Sequence, residues 1–154
     1  MKRVVTYGLE TATDHTIAFL GRYLLVELVP ILWLTWTFRS WIPGIGVTFA
    51  LFHVFSLAVL IPGSLLISGV AMRVARSRTW DLQPWRPWVG AILAVALEFG
   101  YFITGNLSQS APEILRQAVG YDAAGILHYV GVLAFTSAIG QIAAWLVPHG
   151  RARR

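Results

Sequence analysis

Cysteine is absent from the 154 residues. That excludes a disulfide framework, thiol redox relays of the disulfide-bond or quinone-reductase kind, and thiolate metal sites. Charge is scarce as well. Asp, Glu, Lys and Arg make up 12% of the chain, against about 25% in ordinary soluble domains. No lysine lies in an apolar stretch, so a retinal Schiff base is excluded. There is no phosphate loop, no dinucleotide fingerprint, and no HExxH or CxxC. Internal repeats and low-complexity segments are missing, as is the period-two alternation of a lipid-exposed barrel strand.

What the chain has is apolar surface. Hydrophobic residues account for 56% of it, more than a one-domain soluble fold can hide, so lipid is the solvent for much of the molecule. Four stretches are long enough to span about 30 Å of hydrocarbon. They run near residues 16–38, 45–72, 88–104 and 124–147. Backbone groups in lipid must bond internally, which makes these stretches helices. The expected fold is therefore all-α, an integral membrane four-helix bundle with short loops, forming one transmembrane domain over residues 1–154. A short interfacial helix is expected at 112–119, starting from Pro112 with Ser110 as its cap, and it either lids a site or floats on the membrane surface. Lys2 and Arg3 resemble the start of a signal peptide, but Glu10, Asp14 and His15 interrupt the apolar run that should follow, so the N-terminus reads as retained. The sequon Asn106–Leu107–Ser108 lies too close to the membrane to count as a glycosylation site.

The formal charge is +5, yet the basic residues cluster at ends and loops, which fits the positive-inside rule better than nucleic-acid binding. One side collects Lys2, Arg3, Arg73, Arg76, Arg78, Arg86, Arg151, Arg153 and Arg154, and the other only Arg39 and Arg116, a bias of nine to two. Both termini are accordingly expected in the cytoplasm. The basic loop also holds Trp80, Trp85 and Trp88, while Trp33, Trp36 and Trp41 mark the opposite interface. Arg73, Arg76, Arg78 and Arg86 read either as contacts for an anionic lipid headgroup or as a plain cytoplasmic loop beside an aromatic belt.

Ionisable groups inside spans are costly, so each is a candidate site. There are five: Arg22, Glu27, His53, Glu98 and His128. Counted from the outer boundary, Glu27 lies about 16 Å deep, His53 about 12 Å, Glu98 about 10 Å and His128 about 6 to 10 Å. The last four fall in the outer half, one per span, where a bundle can point them at a shared interior point. Tyr101, one helical turn after Glu98, and Tyr129, next to His128, offer hydroxyls there. The plainer alternatives are that Arg22 snorkels to headgroups, that Glu27 pairs with Arg22 or His53 as packing glue, and that His128 is interfacial. His15 and His149 read as peripheral. Pro30 and Pro62 interrupt the spans and free the carbonyls of Val26 and Ala58. The pairs Ser64/Ser68, Thr136/Gly140 and Gly100/Thr104 are small-xxx-small steps that permit close helix approach.

Four readings are compatible with these residues. The first is a transport or ligand- and ion-binding subunit built on Glu27, His53, Glu98, His128 and Tyr101. A chain this small would work in the lipid bilayer as a homo-oligomer or as a subunit of a larger membrane complex, without nucleic acid. The second is an electron-transfer subunit, with His53 and His128 as axial ligands of a b-type haem and quinone bound nearby. The third is an intramembrane enzyme in which Glu98 and Glu27 act as acid and base on a lipid-soluble substrate. The fourth is a structural or assembly subunit.

Overall fold

The computed structural model describes residues 2–39, 44–75, 85–102, 104 and 112–146. Arg76, Arg78, Trp41, Trp80, Asn106, Ser108, Ser110, His149 and the C-terminal arginines lie outside the described residues.

The described chain is helical and contains no strand. Five helices follow in order: α1 (Lys2–Phe38), α2 (Ile45–Ala75), α3 (Arg86–Tyr101), α4 (Glu113–Val119) and α5 (Tyr121–Leu146). Three segments are long and apolar enough to cross a membrane: Ala12–Phe38, Gly46–Arg73 and Ala123–Leu146. The fourth expected span, α3, is a helix of 16 residues, about 24 Å at 1.5 Å per residue. The short expected helix is α4. Pro112 occupies its N-cap position without a side-chain cap bond, and the expected cap, Ser110, lies outside the described residues. α4 packs on α5 and buries none of its residues. Gly120, at φ +86°, separates the two helices in a left-handed conformation that glycine adopts without a Cβ clash.

α1 starts at Lys2 and carries its apolar segment, Ala12–Phe38, close to the expected span of 16–38. Glu10 and Asp14 are unwelcome in hydrocarbon but do not oppose a helix, so the helix outruns its apolar part. One expectation needs correction: Pro30 and Pro62 do not divide their spans, and both sit inside single continuous helices. A proline removes one backbone bond, and the long apolar flanks keep the rest of the helix formed.

α1 packs against α2 and α3, and α5 packs against the same two. Contacts along the seams fix the directions. Thr16 meets Ser68, and Glu27 meets His53, so α1 and α2 are antiparallel. Arg22 lies over Trp88 and Trp33 meets Phe99, so α1 and α3 run together. Tyr129 meets His53 and Gln141 meets Ser68, so α5 runs with α2. The core between them holds Phe19, Leu20, Tyr23, Leu60, Ala91, Ala94, Val95, Tyr129 and Leu133. Leu32, Phe55, Leu66 and Phe135 face outward, at least 65% exposed, as lipid-facing residues do.

α3 and α5 approach closely at Gly90 and Gly140. A Cβ on Gly140 would overlap the Gly90 carbonyl oxygen, and one on Gly90 would stand 2.5 Å from that of Gly140. Of the three small-residue steps in the sequence, Thr136/Gly140 belongs to this seam and Ser64/Ser68 is buried against α5. Gly100/Thr104 is exposed, and the Thr104 hydroxyl bonds the Gly100 carbonyl.

Candidate functional site

Each long helix turns a stripe at three- and four-residue spacing inward. On α1 that stripe includes Thr16, Phe19, Tyr23 and Glu27; on α2, His53, Ser56, Leu60, Ser64 and Ser68. On α3 it is Ala91, Ala94, Val95 and Glu98, and on α5 Tyr129, Leu133, Thr136 and Gln141. The stripes are apolar near the middle of the molecule and polar towards either end.

At one end the stripes bring Glu27, His53 and Glu98 together. One ligand atom from each lies within 4.8 Å of the other two. His53 Nε2 is 3.2 Å from Glu27 Oε2 and 3.5 Å from Glu98 Oε1. All three residues are buried, at 3%, 4% and 4% exposure. Two tyrosines close the cluster. The Tyr23 hydroxyl donates to Glu98 Oε2 at 2.9 Å. The Tyr129 hydroxyl lies 3.5 Å from His53 Nδ1, with the rings edge to face. Glu27 Oε1 is buried and has no hydrogen-bond partner among the described residues. Arg22 does not serve as the counter-charge of Glu27. Its guanidinium bonds the Ala18 carbonyl at 2.8 Å and lies over the Trp88 ring. A five-residue offset turns Arg22 away from the face of Glu27, whereas Tyr23, four residues before it, shares that face.

Of the four residues expected to converge, three do. His128 stands apart, half-buried, with Nε2 2.7 Å from the hydroxyl of Tyr101. Neighbours on a helix point about 100° apart, so α5 can direct only one of His128 and Tyr129 at the cluster, and it directs Tyr129. The two histidines are turned to separate partners, His53 to Glu27, Glu98 and Tyr129, and His128 to Tyr101. A shared haem would need both imidazoles facing one iron.

At the other end a second polar layer forms. Gln141 Nε2 donates to the Ser64 carbonyl at 3.0 Å and to Ser68 Oγ at 2.8 Å. Ser68 Oγ is in turn 3.4 Å from Thr16 Oγ1. Among the described residues, Ser64 Oγ and Gln141 Oε1 are buried without hydrogen-bond partners. Phe19, Leu60 and Leu133 belong to the apolar layer between the two polar ones.

His15 is not peripheral. It is 4% exposed and its ring stands 5.2 Å from that of Trp145. Arg86 likewise is 2% exposed at the start of α3, which removes it from the headgroup contacts, whereas Arg73 is exposed. Trp33, Trp36, Trp85 and Trp88 are exposed, as an aromatic belt requires. The apolar groove, about 540 Å³, is lined by Leu66, Val70, Ile142 and Trp145. Along α2 it lies about 20 Å from His53, well away from the two carboxylates.

Tyr23, Gln141 and Gly90 went unremarked in the sequence. Tyr23 had a signal in its four-residue spacing from Glu27. Gln141 had one as an uncharged polar residue inside a span.

The fold and the cluster define a helical protein with helices long and apolar enough to cross a membrane and a buried ionisable triad. Compared with protein-family models, curated proteins and solved structures, the chain matches none.

Proposed function

We propose that this chain is a four-pass transmembrane bundle that binds and transports a cation at Glu27, His53 and Glu98, in the outer half of the bilayer. The observation that carries the reading is the meeting of two buried carboxylates with one imidazole, within 4.8 Å, on three different helices. Carboxylates so far from water stay ionised only beside positive charge, and a bound cation supplies it. Arg22, the nearest cation in sequence to Glu27, is engaged elsewhere. The second polar layer, Thr16, Ser68 and Gln141, supports transport over static binding because it gives a crossing ion a further set of oxygens beyond the apolar layer. In this arrangement α3 is the third pass, both termini lie in the cytoplasm, and the chain works as a homo-oligomer or as a subunit of a larger complex.

An acid–base enzyme fits less well. Both carboxylates face the same imidazole nitrogen, which occupies the place a substrate would take between acid and base.

The test is cation flux into proteoliposomes carrying the purified protein. Glu27→Gln and Glu98→Gln should each abolish flux while the protein still inserts. Full flux in both variants would end the proposal.

A further inference from the structure

We infer that the cation held by Glu27, His53 and Glu98 is a divalent first-row transition-metal ion; the inference rests on the cation-binding reading and names its ligand class.

Three observations carry it. The first is spacing. Zinc-type ions bind imidazole nitrogen and carboxylate oxygen at about 2.0–2.1 Å, and a tetrahedron with such bonds has edges of about 3.3–3.4 Å. The edges from His53 Nε2 to Glu27 Oε2 and Glu98 Oε1 are 3.2 and 3.5 Å. A neutral imidazole has one Nε2–H and cannot donate it along both edges, whereas a metal at the centre satisfies both. The second is the orphaned oxygen. Glu27 Oε1 is buried without a hydrogen-bond partner among the described residues, and an ion bound by this carboxylate compensates it directly. The third is the outer support. Metal-bound imidazole and carboxylate are characteristically held from behind by a further hydrogen bond. Tyr129 stands behind Nδ1 of His53, and Tyr23 bonds the Glu98 oxygen that faces away from the cluster.

The donor set selects the ion. One nitrogen and carboxylate oxygens suit zinc, manganese, iron or cobalt in the divalent state. Calcium takes six to eight oxygens at about 2.3–2.6 Å, and magnesium keeps an octahedron of oxygens, so an imidazole at the centre of the cluster disfavours both. Cuprous ion prefers sulfur, and the chain has no cysteine. Charge agrees as well. Two carboxylates and a divalent ion sum to zero, the state least costly in hydrocarbon. Three protein ligands leave a fourth position for water, the pattern of sites that exchange ligands rather than lock them.

The experiment uses the full chain, purified without a histidine tag in mild detergent and stripped with chelator. Co²⁺ is titrated and followed by its visible absorption, and Zn²⁺ by calorimetry. The expected result is one ion per chain, an intense low-symmetry cobalt spectrum, and at least a hundredfold weaker binding in Glu27→Gln, His53→Ala and Glu98→Gln. Tyr23→Phe, which keeps all three ligands, should weaken binding by about tenfold. Wild-type protein that binds neither ion, or ligand variants that bind like wild type, overturns the inference. If the ligand variants do not fold, X-ray absorption of the zinc-loaded wild type decides. Imidazole scattering with nitrogen and oxygen at about 2.0–2.1 Å supports the site, and its absence overturns it. Sodium or proton flux that depends on Glu27 and Glu98, in protein that binds no divalent ion, removes the metal and leaves the cation-binding reading standing. Loss of both removes both.

Discussion

Tyr23 donates to one oxygen of Glu98, and the other oxygen of that carboxylate faces His53. A residue on α1 thereby orients a residue on α3 towards a third on α2. Tyr23→Phe keeps the ring in the core and deletes only the donor, leaving a buried carboxylate oxygen unsatisfied. The expected loss is about 1–3 kcal/mol of stability, read from unfolding in a graded denaturing detergent. An unchanged midpoint would mean that the bond contributes nothing in the folded state.

The seam of α3 and α5 should be intolerant of side chains at one level only. Gly140→Val places atoms where the Gly90 backbone already stands and is expected to cost about 1–3 kcal/mol. Gly125→Ala and Gly131→Ala, also on α5, meet nothing within 4 Å. They should be neutral or slightly stabilising, because alanine favours a helix by up to about 1 kcal/mol over glycine. Equal effects at all three positions would contradict the close approach.

Gln141→Leu removes two contacts between α5 and α2 without touching the triad. Intramembrane hydrogen bonds of this kind are worth about 0.6 kcal/mol on average and up to about 1.7, so a modest drop in thermal stability is expected. Cation flux should fall, and cobalt affinity should stay within about twofold of wild type. A large loss of cobalt binding would show that the two polar layers are not separate.

Topology is open to single-cysteine labelling because the chain has no cysteine of its own. Gln117→Cys, on the exposed face of α4, should react with an impermeant reagent from outside intact cells. Ser77→Cys should react only after lysis. The reverse pattern would place the triad in the cytoplasmic half.

The helices were legible in the sequence because a membrane demands long apolar runs and tolerates few charges, and α2 and α5 fall close to their expected bounds. Glu27, His53 and Glu98 were legible for the same reason: an ionisable residue stands out in hydrocarbon. What the sequence withheld was rotation about each helix axis. Neighbours such as His128 and Tyr129 sit at nearly equal depth, and only packing decides which one faces inward. The burial of His15 and Arg86 was hidden similarly. Polar residues near span ends read as interfacial, but α1 continues as a helix past its apolar part, and His15 there finds Trp145. Gly90 looked like any other glycine until Gly140 was placed opposite it.

His53 touches residues from three other helices, Glu27 on α1, Glu98 on α3 and Tyr129 on α5. Occupancy of the cluster and the spacing of the helices are therefore linked in the thermodynamic sense. An ion that binds only the closed arrangement stabilises it by an amount that grows with the logarithm of concentration, about 2.7 kcal/mol at a hundredfold excess over its dissociation constant. Linkage runs both ways, so anything that draws one helix aside at this level, whether a neighbouring subunit or a thinner bilayer, loosens the ion by the same free energy that the ion lends to closure.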